Sequence, residues 1–92
     1  MIKTEYQNEV INRIRQLRID NETSQIMLAT VIEVSNGQIG NIESPKFQHK
    51  YTLKQLYLIA RHFNVSVDYL LTGSKQVLDS DSLIKALIKY DE

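Results

Sequence analysis

Three times in this chain a hydroxyl residue stands three places ahead of a glutamine near the head of an apolar run: Thr4/Gln7, Ser35/Gln38 and Thr52/Gln55. In a capping box the hydroxyl accepts the backbone N–H three residues on, and the glutamine reaches back to the hydroxyl residue's own N–H. Each box therefore predicts where a helix begins, and three of them in so short a chain favour short helices joined by tight turns.

Behind Thr4, the residues Val10, Ile14 and Leu17 recur at i, i+4 and i+7 with Ile11 beside them, which predicts an amphipathic first helix over about 5–20. Asn21-Glu22-Thr23 interrupts it. Ser24 then caps a second helix, about 25–31, that buries Leu28 and Ala29. Ile32-Glu33-Val34 makes a tight connection, and Ser35 opens a third helix at about 36–43 with Ile39 and Ile42 inward. Ser44-Pro45 ends it, because a residue before proline is biased out of the helical region. The stretch 46–51 reads as a loop. Thr52 opens a fourth helix over about 53–63, where Leu53, Leu56, Tyr57, Ile59, Ala60 and Phe63 form a broad apolar face and Asn64 suits the C-terminal cap. Ser66 opens a fifth, with Val67, Leu70 and Leu71 inward and Gly73 as its stop. Residues 74–79 read as a linker. Leu83, Ile84, Leu87 and Ile88 line one face of a last helix at about 80–90. No strand alternation and no internal repeat interrupts the pattern. The expected architecture is all-α, with one domain over 1–73 followed by a linker and C-terminal helix over 74–92.

Ninety-two residues support a single modest core. With 42% hydrophobic and 24% charged residues the chain has the composition of a folded domain. It contains no cysteine, which excludes a disulfide framework and a thiolate ligand or nucleophile. His49 and His62 share no metal-ligand spacing with carboxylates, and there is no Gly-rich phosphate loop, so neither metal, cofactor nor enzymatic chemistry is expected. Apolar runs fall short of a membrane span and no leader pattern opens the chain, so a cytoplasmic location is expected. The eleven Lys/Arg balance the eleven Asp/Glu. Any affinity for an anion must then come from local clustering or helix termini, not from bulk charge.

The run Ser24-Gln25-Ile26-Met27-Leu28-Ala29, then Val34-Ser35, then Ile39-Gly40-Asn41-Ile42-Glu43, resembles the lambda-repressor-like (Xre/Cro-type) helix-turn-helix family. The segment Phe63-Asn64-Val65-Ser66-Val67-Asp68-Tyr69-Leu70-Leu71-Thr72-Gly73 is similar to the close of that five-helix domain. The resemblance implies a DNA-binding transcription regulator, expected to be a repressor and a homodimer on double-stranded DNA. An alternative on the same fold is a protein-interaction module, such as an antitoxin or phage-control partner. Two helices joined by a short turn cross steeply, so the first braces the second and its N-terminus can enter a major groove. Leu28, Ala29, Val34, Ile39 and Ile42 would be the buried residues that hold that angle.

Carried over by position, the base-contacting candidates are Asn36, Gly37, Gln38 and Asn41; Asn and Gln can bond adenine in bidentate fashion. Gln38 is equally suited to closing its own capping box. Ser24 and Gln25, at the start of the preceding helix, match phosphate-contacting positions, where Gln25 resembles a residue that also orients a neighbouring side chain, or is simply a polar helix start. Lys46, His49 and Lys50 form a small basic loop with Phe47 and Tyr51 between its charges, and either clamp phosphate or are simply solvated. Arg18 and Glu43 match a structural ion pair of the family. The tail-helix stripe either adds dimer surface or packs on the core.

Three departures from the family pattern carry consequences. Glu33 stands where the turn usually has glycine, at a cost of about 1 kcal/mol if the backbone there is left-handed. Gly37 and Gly40 both fall within the expected recognition helix, each about 0.8–1 kcal/mol worse than alanine in a helix interior. Ser44-Pro45 replaces Asn-Gly after that helix and removes a backbone N–H.

Overall fold

Thr4 and Thr52 form both arms of their capping boxes in the computed structural model, which describes residues 2–92. Those boxes open α1 (Glu5–Asp20) and α4 (Leu53–Phe63). The other helices are α2 (Gln25–Val31), α3 (Gln38–Glu43), α5 (Val67–Thr72) and α6 (Ser80–Asp91), and there is no strand among the described residues. Ser24, Ser66 and Asp79 cap α2, α5 and α6 through their side chains, each accepting the backbone N–H three residues on. None of these helices is long and apolar enough to cross a membrane.

Three of the turns close in the same way. At the ends of α1, α2 and α4 a six-to-one bond runs back across the last turn: Thr23 N to Arg18 O, Val34 N to Ala29 O, and Val65 N to Ala60 O, each 2.9 Å. That bond needs a left-handed residue just before the donor. The positions are filled by Glu22, Glu33 and Asn64, with φ of 52°, 61° and 56°. Asn64 is the residue type expected there; Glu22 and Glu33 are not, and both hold a conformation that costs a side-chain-bearing residue about 1 kcal/mol.

The core is a single cluster. Val10, Ile11 and Ile14 of α1 meet Leu28 and Ala29 of α2, Ile39 and Ile42 of α3, Leu56, Ile59 and Ala60 of α4, and Leu70 and Leu71 of α5. Two further buried residues come from connections, Ile32 and Tyr51. Several expected core positions differ. Val34 and Leu17 are half-buried, while Ile32 takes the fully interior place in the α2–α3 connection. Leu53 and Tyr57 are exposed, so the apolar face of α4 is narrower than its sequence suggests.

The tail helix divides its apolar residues between two faces. Leu83, Ala86 and Leu87 pack half-buried against the core, and Tyr90 is fully buried. Tyr90 Oη donates to Tyr51 O at 2.9 Å, and its own carbonyl accepts from Gln7 Nε2 at 2.7 Å. The cation of Lys89 lies 4.7 Å from the Tyr6 ring centre. Ile84 and Ile88, placed on the same stripe by sequence, face solvent instead.

Candidate nucleic-acid interface

The candidate interface is built around α3, a helix with little stability of its own. It is six residues long and has Gly40 inside it; isolated helices this short do not persist in water. The expected box of Ser35 and Gln38 does not form. Ser35 O accepts from Gln38 N at 3.0 Å, a backbone turn, and Gly37 becomes the N-cap with no side-chain bond. The helix therefore starts at Gln38 and not at 36, which leaves Asn36 and Gly37 in the turn that leads into it. Gly37 has no side chain with which to cap, so the first turn lacks a side-chain bond, and Gln38 is the first helical residue, not the third.

What holds α3 comes from outside it. Glu43, at its end, has a side chain only 5% exposed. Arg18 grips it in a two-pronged pair, Nε to Oε2 at 2.8 Å and Nη2 to Oε1 at 2.9 Å. The remaining Arg18 prong, Nη1, donates to Thr23 O at 2.9 Å, so the guanidinium joins α1, the α1–α2 turn and α3. Gln25 Nε2 donates to Glu43 Oε1 at 3.0 Å, and Arg15 Nε lies 3.7 Å from the same oxygen. Gln25, placed by sequence as a phosphate contact, thus commits its side-chain amide to Glu43. Its Oε1 lies close to Gly40, where an added Cβ would stand 3.6 Å away, an ordinary contact.

Beyond the helix, Ser44 is extended (φ −79°, ψ 130°), as a residue before proline prefers. Ser44 Oγ accepts from Lys46 N at 3.2 Å, so that amide is occupied. Lys46, Phe47, Gln48 and His49 are exposed, and Phe47 meets His49 edge-on at 6.0 Å between ring centres. Lys50 is half-buried and turns to the tail, donating to Asp91 O at 3.0 Å. Tyr51 is not part of this exposed loop but lies in the core. Its hydroxyl has no partner, and burial, aggravated by the nearby Glu43 carboxylate, pushes its pKa well above the usual phenol value.

The candidate reading residues run from the turn before α3 into the helix, where Asn41 is the fourth residue. Asn36 and Gly37 are exposed; Gln38 and Asn41 are half-buried. The side-chain amides of Asn36, Gln38 and Asn41 make no hydrogen bond within the described residues, in contrast to Gln7, Gln25 and Gln55, which do. Ser24 is exposed and spends its hydroxyl oxygen on Met27 N, keeping its proton to donate.

Two features were missed in the sequence. The first is Lys3, whose buried ammonium donates to the carbonyls of Ile42 and Ser44 at the end of α3. No periodicity or cap signal marks it. The second was visible: between residues 34 and 67 the only acid is Glu43, against Lys46, Lys50, Lys54 and Arg61, while the other ten acids outnumber the other seven bases. Since Glu43 is neutralised by Arg18, the zero net charge conceals a basic segment that contains α3 and α4. Local charge of one sign is what attracts phosphate where the bulk balance does not.

No curated protein and no solved structure matches the chain. A family model described as Helix-turn-helix matches residues 14–70. That span runs from the middle of α1 into α5 and contains the braced α2–α3 pair whole. It covers well over half of the chain, and the protein belongs to the helix-turn-helix family of the lambda-repressor (Xre) type, a family of DNA-binding regulators.

Proposed function

We propose that the protein is a sequence-specific transcription regulator that represses by occupying its DNA site, with α3 as the recognition helix. The observation that carries this reading is the set of uncommitted amides. Asn36, Gln38 and Asn41 sit at and beside the α3 N-terminus with no partner among the described residues, on a helix held from its other end. Amide side chains of this kind suit the N6/N7 edge of adenine in the major groove. Ser24, the backbone N–H groups at Gln25, and Lys46 and His49 would contact phosphate and set register. Lys50 joins them with the donors left beside its bond to the Asp91 carbonyl.

Gly37 supports the same reading. Its φ of −81° suits any residue, and a Cβ there would meet nothing within 4 Å. The fold does not require glycine at this place, whereas a closely approaching base pair would. A dimer on two half-sites would put two such helices about 34 Å apart. The tail helix can offer such a dimer the exposed Ile84 and Ile88.

Selection from a random duplex pool tests the proposal, with an enriched dyad-symmetric sequence as the expected result. Gly37→Ala should cost no more than about 1 kcal/mol of thermal stability, the difference between glycine and alanine at an N-cap, yet weaken binding to the enriched duplex several-fold. A pool that shows no enrichment would remove the sequence-specific reading.

A further inference from the structure

Lys3 lies ahead of the family match at residues 14–70, yet it reaches into the centre of the helix-turn-helix unit. The residue is 5% exposed, and its ammonium donates to Ser44 O at 2.8 Å and to Ile42 O. Burying a lysine disfavours its charge, and burial accordingly lowers the pKa of this one. What offsets that cost is the state of the acceptors. The last carbonyls of a helix lack intrahelical partners and carry the negative end of its dipole. Pro45 prevents the chain from supplying the usual backbone N–H donor just beyond Ser44. Lys3 stands in for that missing donor.

The brace of Arg18 and Gln25 acts on the Glu43 side chain, and a side chain can swivel about its own torsions. Lys3 acts on the backbone. Ile42 sits in the last turn of α3 and Ser44 just past it, so two bonds from one ammonium fix both the axial position of the helix and the exit of the chain. The segment that carries Lys3 is itself anchored, because Thr4 begins the capping box of α1 and Gln7 bonds Tyr90 O.

We infer that Lys3 is a positioning residue for DNA reading: by tying the Ile42 and Ser44 carbonyls to the start of α1, it sets where α3 presents Asn36 and Asn41, without touching DNA itself. This rests on the reading of α3 as a recognition helix. Because the ammonium is buried and spent on carbonyls, Lys3 adds nothing to the count of phosphate contacts.

The test compares the parent with Lys3→Met, which removes the ammonium, and Lys3→Gln, which retains a donor for one carbonyl. Three probes are used: amide exchange of Gly40–Ser44, affinity for the duplex enriched from the random pool, and affinity for a scrambled duplex of equal length. In Lys3→Met the amides of α3 should exchange about tenfold faster, while those of α4 and α5 are unchanged. Affinity for the enriched duplex should fall about tenfold, with scrambled-duplex affinity and the salt slope preserved. Lys3→Gln should lie between Lys3→Met and the parent, and it carries the comparison if Lys3→Met does not fold. Equal losses on both duplexes with a salt slope reduced by about one would make Lys3 a phosphate contact and overturn the inference. Unchanged exchange in α3 would overturn it too, and that arm reads without DNA, so it stands apart from any failure to find a specific site.

Discussion

Replacing Arg18 with methionine should cost this domain about 3 kcal/mol, a large share of a small protein's stability. Breaking a buried ion pair from one side typically costs about 3–5 kcal/mol, since the partner stays buried and charged. The lower end applies here. Glu43 would keep Gln25 at 3.0 Å, and Arg15, whose side chain is 52% exposed, can swing in from 3.7 Å. Against this, Thr23 O loses its donor as well, and the α1–α2 turn loses a tie. With an unfolding entropy of about 2.1 cal/mol/K per residue, 3 kcal/mol corresponds to a Tm lowered by roughly 15 °C in a chain of this length. Scanning calorimetry gives that directly. The double variant Arg18→Met/Glu43→Met should be more stable than Arg18→Met alone, because no charge is then stranded, and the cycle should return a coupling of about 2 kcal/mol or more. A Tm loss under about 5 °C for Arg18→Met, or strictly additive single effects, would show that the pair does not brace α3 as its geometry indicates.

Glu33, at φ 61°, should be improved by asparagine, which tolerates the left-handed region: Glu33→Asn should raise stability by about 0.5–1 kcal/mol, and an unchanged Tm would refute strain at that turn. The Asp79 carboxyl, which caps α6 by accepting Ser82 N at 2.8 Å, is held below its ordinary pKa of 3.8 chiefly by that bond. A depressed folded value means that the cap's contribution is present above the ordinary pKa and is lost as pH falls through the folded one. The Ser82 amide signal should follow that acid titration, and in Asp79→Asn it should not. For Tyr51 and Tyr90 burial raises the folded pKa well above 10.0, so their contribution is present below that pH and lost as alkali rises. Phenolate absorbance from Tyr51 and Tyr90 should therefore be withheld in the folded protein and released on unfolding, and ionisation of both at an ordinary phenol's pH would contradict their burial.

The parts of the fold legible in the sequence were those written locally. Thr4/Gln7 and Thr52/Gln55 opened their helices at the expected residues, and Asn64 and Gly73 took the left-handed caps. Ser35/Gln38 satisfied the same pattern and failed, because the Gln38 amide that the Ser35 hydroxyl would take is bonded to the Ser35 carbonyl in a backbone turn. Long-range facts were the harder ones. Nothing near Lys3 announces that its ammonium will cross 39 residues of sequence to Ile42, and nothing in the 46–51 stretch says that Tyr51 alone turns inward. The α6 stripe shows the same limit. Spacing groups Leu83, Ile84, Leu87 and Ile88, but Tyr90 reaching Tyr51 O draws Leu83 and Leu87 in and turns Ile84 and Ile88 out.

The site follows a division of labour with a physical origin. Only Ile39 and Ile42 of α3 are committed to the core, and the polar ties that complete its placement come from Arg18, Gln25 and Lys3, all outside it. A helix that held itself would need strong formers and a side-chain cap at the positions where bases must be met. Here those positions carry Asn36 and Gly37 in the turn and Gln38 and Asn41 in the helix, none of them giving its side chain to a cap, and the three amides are well matched to hydrogen-bonding edges. Borrowed support thus releases the reading residues from structural duty. Their identity can then follow the DNA site, while the angle at which they are presented remains a property of the brace.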